Sequence, residues 1–211
     1  MKLPQVKFGL ILSVALCAAC APDRASGSAN NHPSVTAAVA GATASPASAA
    51  PTRELDVPYV PTPELVVDEM LKMAQVKGDD VLYDLGSGDG RIPITAARRF
   101  GTRGVGVDLN PERVKEANEN ARQAEVTDKV KFIEGDLFQS DFSEASVVTL
   151  YLLPDINLKL RPQLLSQLKP GTRVVSHNYD MGDWKPARTK TITTPDGVDH
   201  VIYFWRVPER K

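Results

Sequence analysis

Val81–Gly90 reads V-L-Y-D-L-G-S-G-D-G, and it constrains the fold more than any other stretch. Val81, Leu82, Tyr83 and Leu85 form a short apolar run with strand preference. Gly86, Ser87, Gly88, Asp89 and Gly90 follow as a tight turn, and Ile92–Phe100 continue with helical spacing, Pro93 lying in the first turn where its missing N–H costs little. Strand, glycine turn and helix in this order place a ligand at the carboxyl end of a parallel strand.

The spacing Gly86-x-Gly88-x-Gly90 is one residue short of the dinucleotide fingerprint. Asp84 precedes the turn and Asp89 lies inside it. Carboxylates make a poor cradle for pyrophosphate and suit a cationic ligand with an amino group and a sulfonium. D-L-G-S-G-D-G resembles the first motif of class I S-adenosylmethionine-dependent methyltransferases.

Downstream elements support an α/β, doubly wound, Rossmann-like sheet of seven strands, mostly parallel with an antiparallel last strand. Gly104–Asp108 is a second strand ending in an acid about 20 residues after the glycine turn, where it can accept from both hydroxyls of a ribose. Asn110-Pro111-Glu112 starts a helix with a cap, a proline and an acid. Val130–Glu134 is the third strand, followed by Gly135-Asp136-Leu137; an acid there can accept from an adenine amino group while the apolar neighbour stacks on the ring, although Gly-Asp is also an ordinary turn. Ala145–Leu150 is the fourth strand and leads into Tyr151–Asp155. Asp155 is read either as a site residue or as an N-cap. Leu158, Leu160, Leu164, Leu165 and Leu168 give a helical apolar face that Pro162 is expected to split in two. Thr172–Ser176 is the fifth strand, and Thr189–Thr193 and Val201–Val207 form a closing hairpin about a Pro195-Asp196-Gly197 turn. His177, at the end of the fifth strand, is either a base or a hydrogen-bonded structural residue.

Before the glycine turn, Asp56–Pro63 reads D-V-P-Y-V-P-T-P, held extended by its prolines. It is a rigid lead-in or a lid with Tyr59 facing the cofactor. Thr62 is expected to cap the next helix, Pro63 to be its first residue and Gly78 to end it.

Residues 1–20 have the pattern of an export signal, with Lys2 and Lys7 before the apolar run Phe8–Ala19. Small residues before Cys20 resemble a bacterial lipoprotein signal with a lipidated Cys20; cleavage near Ala19–Ala21 by an ordinary signal peptidase is the alternative. Residues 21–53 are rich in Ala, Ser, Pro, Thr and Gly and read as a disordered tether. The folded domain is expected over 54–211, in or on the cell envelope, the cytoplasmic face remaining open. Both cysteines fall in the signal, so the domain has neither a disulfide framework nor a cysteine metal site. Of 25 Lys and Arg, Lys2 and Lys7 lie in the signal, leaving 23 against 26 Asp and Glu; no basic run marks a nucleic-acid surface.

P-Y-V-P-T-P, D-L-G-S-G-D-G-R, G-V-G-V-D-L-N-P and Tyr151–Pro154 together resemble bacterial relatives of the seven-β-strand lysine methyltransferases that act on the ATP synthase c subunit and the adenine nucleotide translocase. The resemblance covers roughly the last 150 residues. It implies S-adenosyl-L-methionine as cofactor and a protein lysine as acceptor. Asp84, Gly86, Ser87, Gly88, Asp89 and Gly90 would hold the methionine part, Asp108 with Leu109 the ribose, and Asp136 with Leu137 the adenine. Tyr59 and Tyr151 would shape the catalytic site, with Tyr179 and Trp184 as further candidate walls. A small-molecule methyltransferase and an exported, non-enzymatic domain retaining the fold are the competing readings.

Overall fold

The computed structural model describes residues 59–210. The signal and tether expected over 1–53 lie outside the described residues.

Among the described residues seven strands form one sheet: β1 (Val81–Leu85), β2 (Arg103–Asp108), β3 (Val130–Glu134), β4 (Val147–Leu150), β5 (Arg173–His177), β6 (Arg188–Thr193) and β7 (Asp199–Arg206). Their order is β3-β2-β1-β4-β5-β7-β6. The first five pair in parallel, and β7 inserts antiparallel between β5 and β6. This is the expected doubly wound sheet with its antiparallel last strand. The central β1 and β4 are buried almost throughout, as strands covered on both faces must be.

Four helices among the described residues cover the sheet: α1 (Glu64–Met73), α2 (Arg91–Phe100), α3 (Pro111–Gln123) and α4 (Pro154–Gln167). Val66, Val67, Met70 and Leu71 of α1 pack with Val175, Ile202 and Phe204 of the sheet. Ile156, Leu160 and Leu164 of α4, with Leu168 just beyond it, recur every fourth residue and join the core over β1, β4 and β5.

The chain runs β1, β2, β3 to one side and then returns to β4 on the other side of β1. That reversal opens a crevice beyond the carboxyl ends of β1 and β4, where ligands bind in such sheets.

Local expectations changed in four places. Pro63, not Thr62, stands at the cap position of α1, because its ψ of 144° lies outside the helical region; the Thr62 hydroxyl faces His177 Nδ1 at 3.2 Å. The helix ends at Met73, before Gly78, and the chain turns at Gln75 with φ +53°. Pro162 does not divide α4; it lies on the exposed face, and the helix runs on through it. Asp155 does not cap α4: Leu153 occupies that position, and Asp155 is an exposed residue of the first turn. Asn110 caps α3 as expected, accepting from the Glu112 N–H at 2.9 Å.

Candidate cofactor and methyl-transfer site

The glycine turn is built by backbone bonds to the next strand. The N–H groups of Gly86 and Ser87 donate to Val107 O at 2.8 and 3.0 Å, and the Gly90 N–H donates to Ser87 O at 2.9 Å. Gly86 and Gly88 take φ of +83° and +51°, which residues with a Cβ reach only at a cost. Asp108 at the end of β2 completes the turn: its Oδ2 accepts from Gly88 N–H and its Oδ1 from Asn110 N–H, at 2.8 and 2.9 Å.

A crevice opens over this turn. Its wall includes Asp84, Gly86, Ser87, Gly88, Asp89, Asp108, Leu109 and Leu137 from the sheet side. Tyr59, Thr62, Tyr151 and Leu152 close the other side. Two expected residues lie apart from this lining. Gly90 is the left-handed residue that starts α2; a Cβ there would meet the Phe132 ring at 2.4 Å, so it serves packing between β3 and the turn. The Asp136 carboxylate accepts from Phe138 N–H and Gln139 Nε2, both at 2.9 Å, and shapes the loop that presents Leu137.

The charge in the crevice suits a cation. Asp84 is buried, its Oδ1 accepts from Thr149 Oγ1 at 2.7 Å, and burial, reinforced by Asp108 and Asp89, pushes its carboxyl up to about 7. Ser87 Oγ is buried in the wall with no hydrogen-bond partner. A buried carboxyl that feels the charges of Asp108 and Asp89, in a wall that also holds an unsatisfied hydroxyl, fits a ligand with an ammonium group. Asp84, the Gly86–Asp89 backbone, Asp108, Leu109 and Leu137 are therefore the residues that fit S-adenosylmethionine.

Asp89 has a different task. Arg91 grips its carboxylate through Nε and Nη2, and Arg91 Nη1 donates to Thr62 O at 2.8 Å. Burial raises the Asp89 carboxyl, but the Arg91 fork outweighs it and holds it below the usual carboxylate range. One arginine thus fastens the proline-rich lead-in to the glycine turn. Tyr59 lies over that turn with Arg113 above its ring, 4.7 Å from the centroid. Burial, and then the nearby Asp89, raise the Tyr59 hydroxyl above its ordinary pKa.

Across the crevice, Tyr151 stacks on His177 with centroids 3.9 Å apart and on Tyr179 at 6.3 Å. Burial raises the Tyr151 hydroxyl. Tyr179 stands behind Tyr151, outside the crevice lining. Trp184 packs against Trp205, whose Nε1 donates to its carbonyl, and takes no part in the crevice lining. His177 is fully buried between Thr62 and His200.

Sequence reasoning gave no role to Arg91, Arg113 or Leu152. Arg91 directly follows the glycine turn and could have been noticed there; the other two reach the crevice only through the fold.

Comparison with known proteins agrees with this geometry. Residues 84–188 match the family model described as the ANTKMT methyltransferase domain. A protein-lysine N-methyltransferase of Saccharolobus islandicus is 48% identical over 157 residues, covering 74% of this chain and 96% of that protein. The lysine N-methyltransferase for the ATP synthase c subunit in Rattus norvegicus is 34% identical over 149 residues, covering 71% of this chain and 66% of that protein. Among solved structures, an RNA methyltransferase from Salinibacter ruber in complex with S-adenosyl-L-homocysteine is similar at 57% identity and a TM-score of 0.68. That alignment covers 72% of this chain and 96% of the other.

Proposed function

The chain belongs to the ANTKMT family of S-adenosylmethionine-dependent methyltransferases, and from that premise we propose that it methylates a lysine side chain of a protein. The observation that carries the reading is the crevice itself, which sets a cation-binding acidic floor against the aromatic walls Tyr59 and Tyr151. The name of the archaeal relative, which this chain spans almost entirely, supports the same acceptor.

When bound, S-adenosylmethionine supplies a sulfonium methyl group for in-line attack by a neutral amine. The protein's contribution is chiefly alignment and the removal of water. Asp84 supplies a carboxylate for the ligand's ammonium, and Asp108 holds the turn while facing the crevice. Tyr59 and Tyr151 enclose the acceptor. A lysine ammonium has a pKa of about 10.4 in water and must lose a proton before attack; a poorly solvated pocket favours the neutral amine. The ring faces also tolerate a methylated ammonium, so more than one methyl group can be added.

The test is transfer of labelled methyl groups from S-adenosylmethionine to a lysine-rich peptide and to total RNA by the full chain, with Asp108→Ala as control. Methyl-lysine in the peptide supports the reading. Label in RNA alone, the activity named for the Salinibacter structure, overturns it.

We infer as well that Cys20 is lipidated and holds the protein at the cell envelope. Lys2, Lys7, the apolar run Phe8–Ala19 and the small residues before Cys20 support this. A Cys20→Ala protein that still carries lipid would refute it.

A further inference from the structure

The Thr62 side of the crevice continues into a chain of hydrogen bonds. Thr62 is part of the crevice wall, and its Oγ1 lies 3.2 Å from His177 Nδ1. The other nitrogen of that ring, Nε2, lies 2.8 Å from His200 Nδ1. His177 has 0% exposure, whereas His200, near the start of β7, is half-buried. Three elements distant in sequence thus meet in one line: the lead-in, the end of β5 and β7.

We propose that Thr62, His177 and His200 form a relay that carries the acceptor's proton from the crevice to the half-buried ring of His200. The proposal rests on the lysine reading above. The ammonium N–H bond breaks and its electron pair stays on nitrogen as the attacking lone pair. A new O–H bond forms at Thr62 Oγ1 while its former proton passes to His177 Nδ1. His177 gives its Nε2 proton to His200 Nδ1, and His200 releases its Nε2 proton to water. One proton leaves, and no atom is oxidised or reduced.

The surroundings fit a relay and not a charged histidine. Burial, with His200 second, pushes His177 down to about 4, so it stays neutral in neutral solution and cannot trap the proton it passes. Its titratable neighbours are His200 and Tyr151, with Tyr179 behind Tyr151. Helix α1, packed against β5 and β7, presents the apolar Val66, Val67 and Met70. A water-filled exit is unnecessary, because each donor and acceptor is already in hydrogen-bond reach.

The experiment is a pH profile of peptide-lysine methylation by the full chain and its His200→Gln, His177→Gln, Thr62→Val and Thr62→Ser variants. Binding of S-adenosylhomocysteine is measured beside it. The relay predicts that kcat for His200→Gln and Thr62→Val falls about a hundredfold near neutral pH. The deficit shrinks as pH approaches about 10.4, where half of a free lysine acceptor is already neutral. Thr62→Ser retains turnover, and S-adenosylhomocysteine binds His200→Gln as tightly as the wild type. Nitrogen NMR of the imidazoles is expected to show a neutral His177 ring and a coupling across the His177–His200 bond. His200 is half-buried, so its variant folds even if His177→Gln does not. Equal activity, or a deficit constant with pH, overturns the relay. If the wild type labels no lysine at all, the reading beneath has failed; if it labels lysine with flat variant profiles, the relay alone has failed.

Discussion

The ring of Tyr59 occupies the space that a Cβ on Gly88 would take: Cε2 stands 2.5 Å from that position. Lead-in and glycine turn are therefore fitted to each other, and the glycine is needed for its missing side chain as well as for its φ of +51°. Gly88→Ala is expected to weaken S-adenosylhomocysteine binding by displacing Tyr59. Removing the ring relieves the clash and leaves only backbone strain. Calorimetry on Gly88→Ala, Tyr59→Ala and the double variant should give a coupling of about 1–2 kcal/mol, the double variant being less impaired than the sum. Strict additivity would show that Tyr59 does not sit on the turn in solution.

Asp84 gives a pH prediction. Burial first, then Asp108 and Asp89, raise its carboxyl from 3.8 to about 7. The proton thus favours the folded state: this contribution is fully present below the unfolded pKa and is lost as pH rises through about 7. Asp84→Asn removes the buried charge while keeping an acceptor for Thr149. It should raise the stability of the ligand-free protein by about 1–3 kcal/mol in mildly alkaline solution and by little in acid, while abolishing cofactor binding. Urea unfolding at the two pH values checks the first half and calorimetry the second. Unchanged stability in alkaline solution would mean that water or a cation reaches Asp84.

Arg91 joins two parts of the site that are remote in sequence. Its fork on Asp89 and its bond to Thr62 O fix the lead-in across the mouth of the crevice. Arg91→Met should free that segment, raise the Asp89 carboxyl and weaken S-adenosylhomocysteine about tenfold, a cost of about 1.4 kcal/mol. Arg91→Lys should recover little, because an ammonium cannot hold a carboxylate and a carbonyl with the same planar fork. Hydrogen exchange over residues 59–63 reads the loosening directly. Unaltered exchange there would deny Arg91 its fastening role.

These relationships mark the boundary of what the sequence displays. The sheet was legible because each strand is a short apolar run with its own turn, and Asn110 was legible because a cap contacts a residue two positions on. Asp108 could be placed because it ends the next strand of the chain, which pairs in parallel with the strand that leads into the glycine turn. The bond from Arg91 to Thr62 crosses 29 residues, and that from His177 to Thr62 crosses 115. No local pattern announces such pairs; they exist because the sheet brings the ends of β1 and β5 under the lead-in. The start of α1 follows the same pattern: Pro63 takes a non-helical ψ of 144°, so Thr62 stands outside the cap position and its hydroxyl faces His177. Pro162 runs the other way: local chemistry forbids a hydrogen bond there, and only its place on the exposed face of α4 shows that the helix continues past the lost bond.

Away from the crevice, Arg173 and Asp80 form a buried ion pair. Burial raises the Asp80 carboxyl, but the Ser146 hydroxyl, the Lys77 N–H and Arg173 together outweigh it and hold it below its ordinary value. Arg173 also donates to Ala74 O and Gln75 O, at 2.9 and 3.0 Å, and so joins the end of α1 to β5. With a lowered folded pKa, Asp80 contributes stability that is present above its unfolded pKa and lost as pH falls through the folded one. Arg173→Met strands the carboxylate and two carbonyl acceptors, and should destabilise the protein by about 3–5 kcal/mol in neutral solution. The cost should shrink in acid, where Asp80 takes up a proton and no buried charge remains unpaired. Urea unfolding at neutral and acidic pH measures both values. A cost that is equal at the two would assign the effect to the lost carbonyl bonds and not to the ion pair.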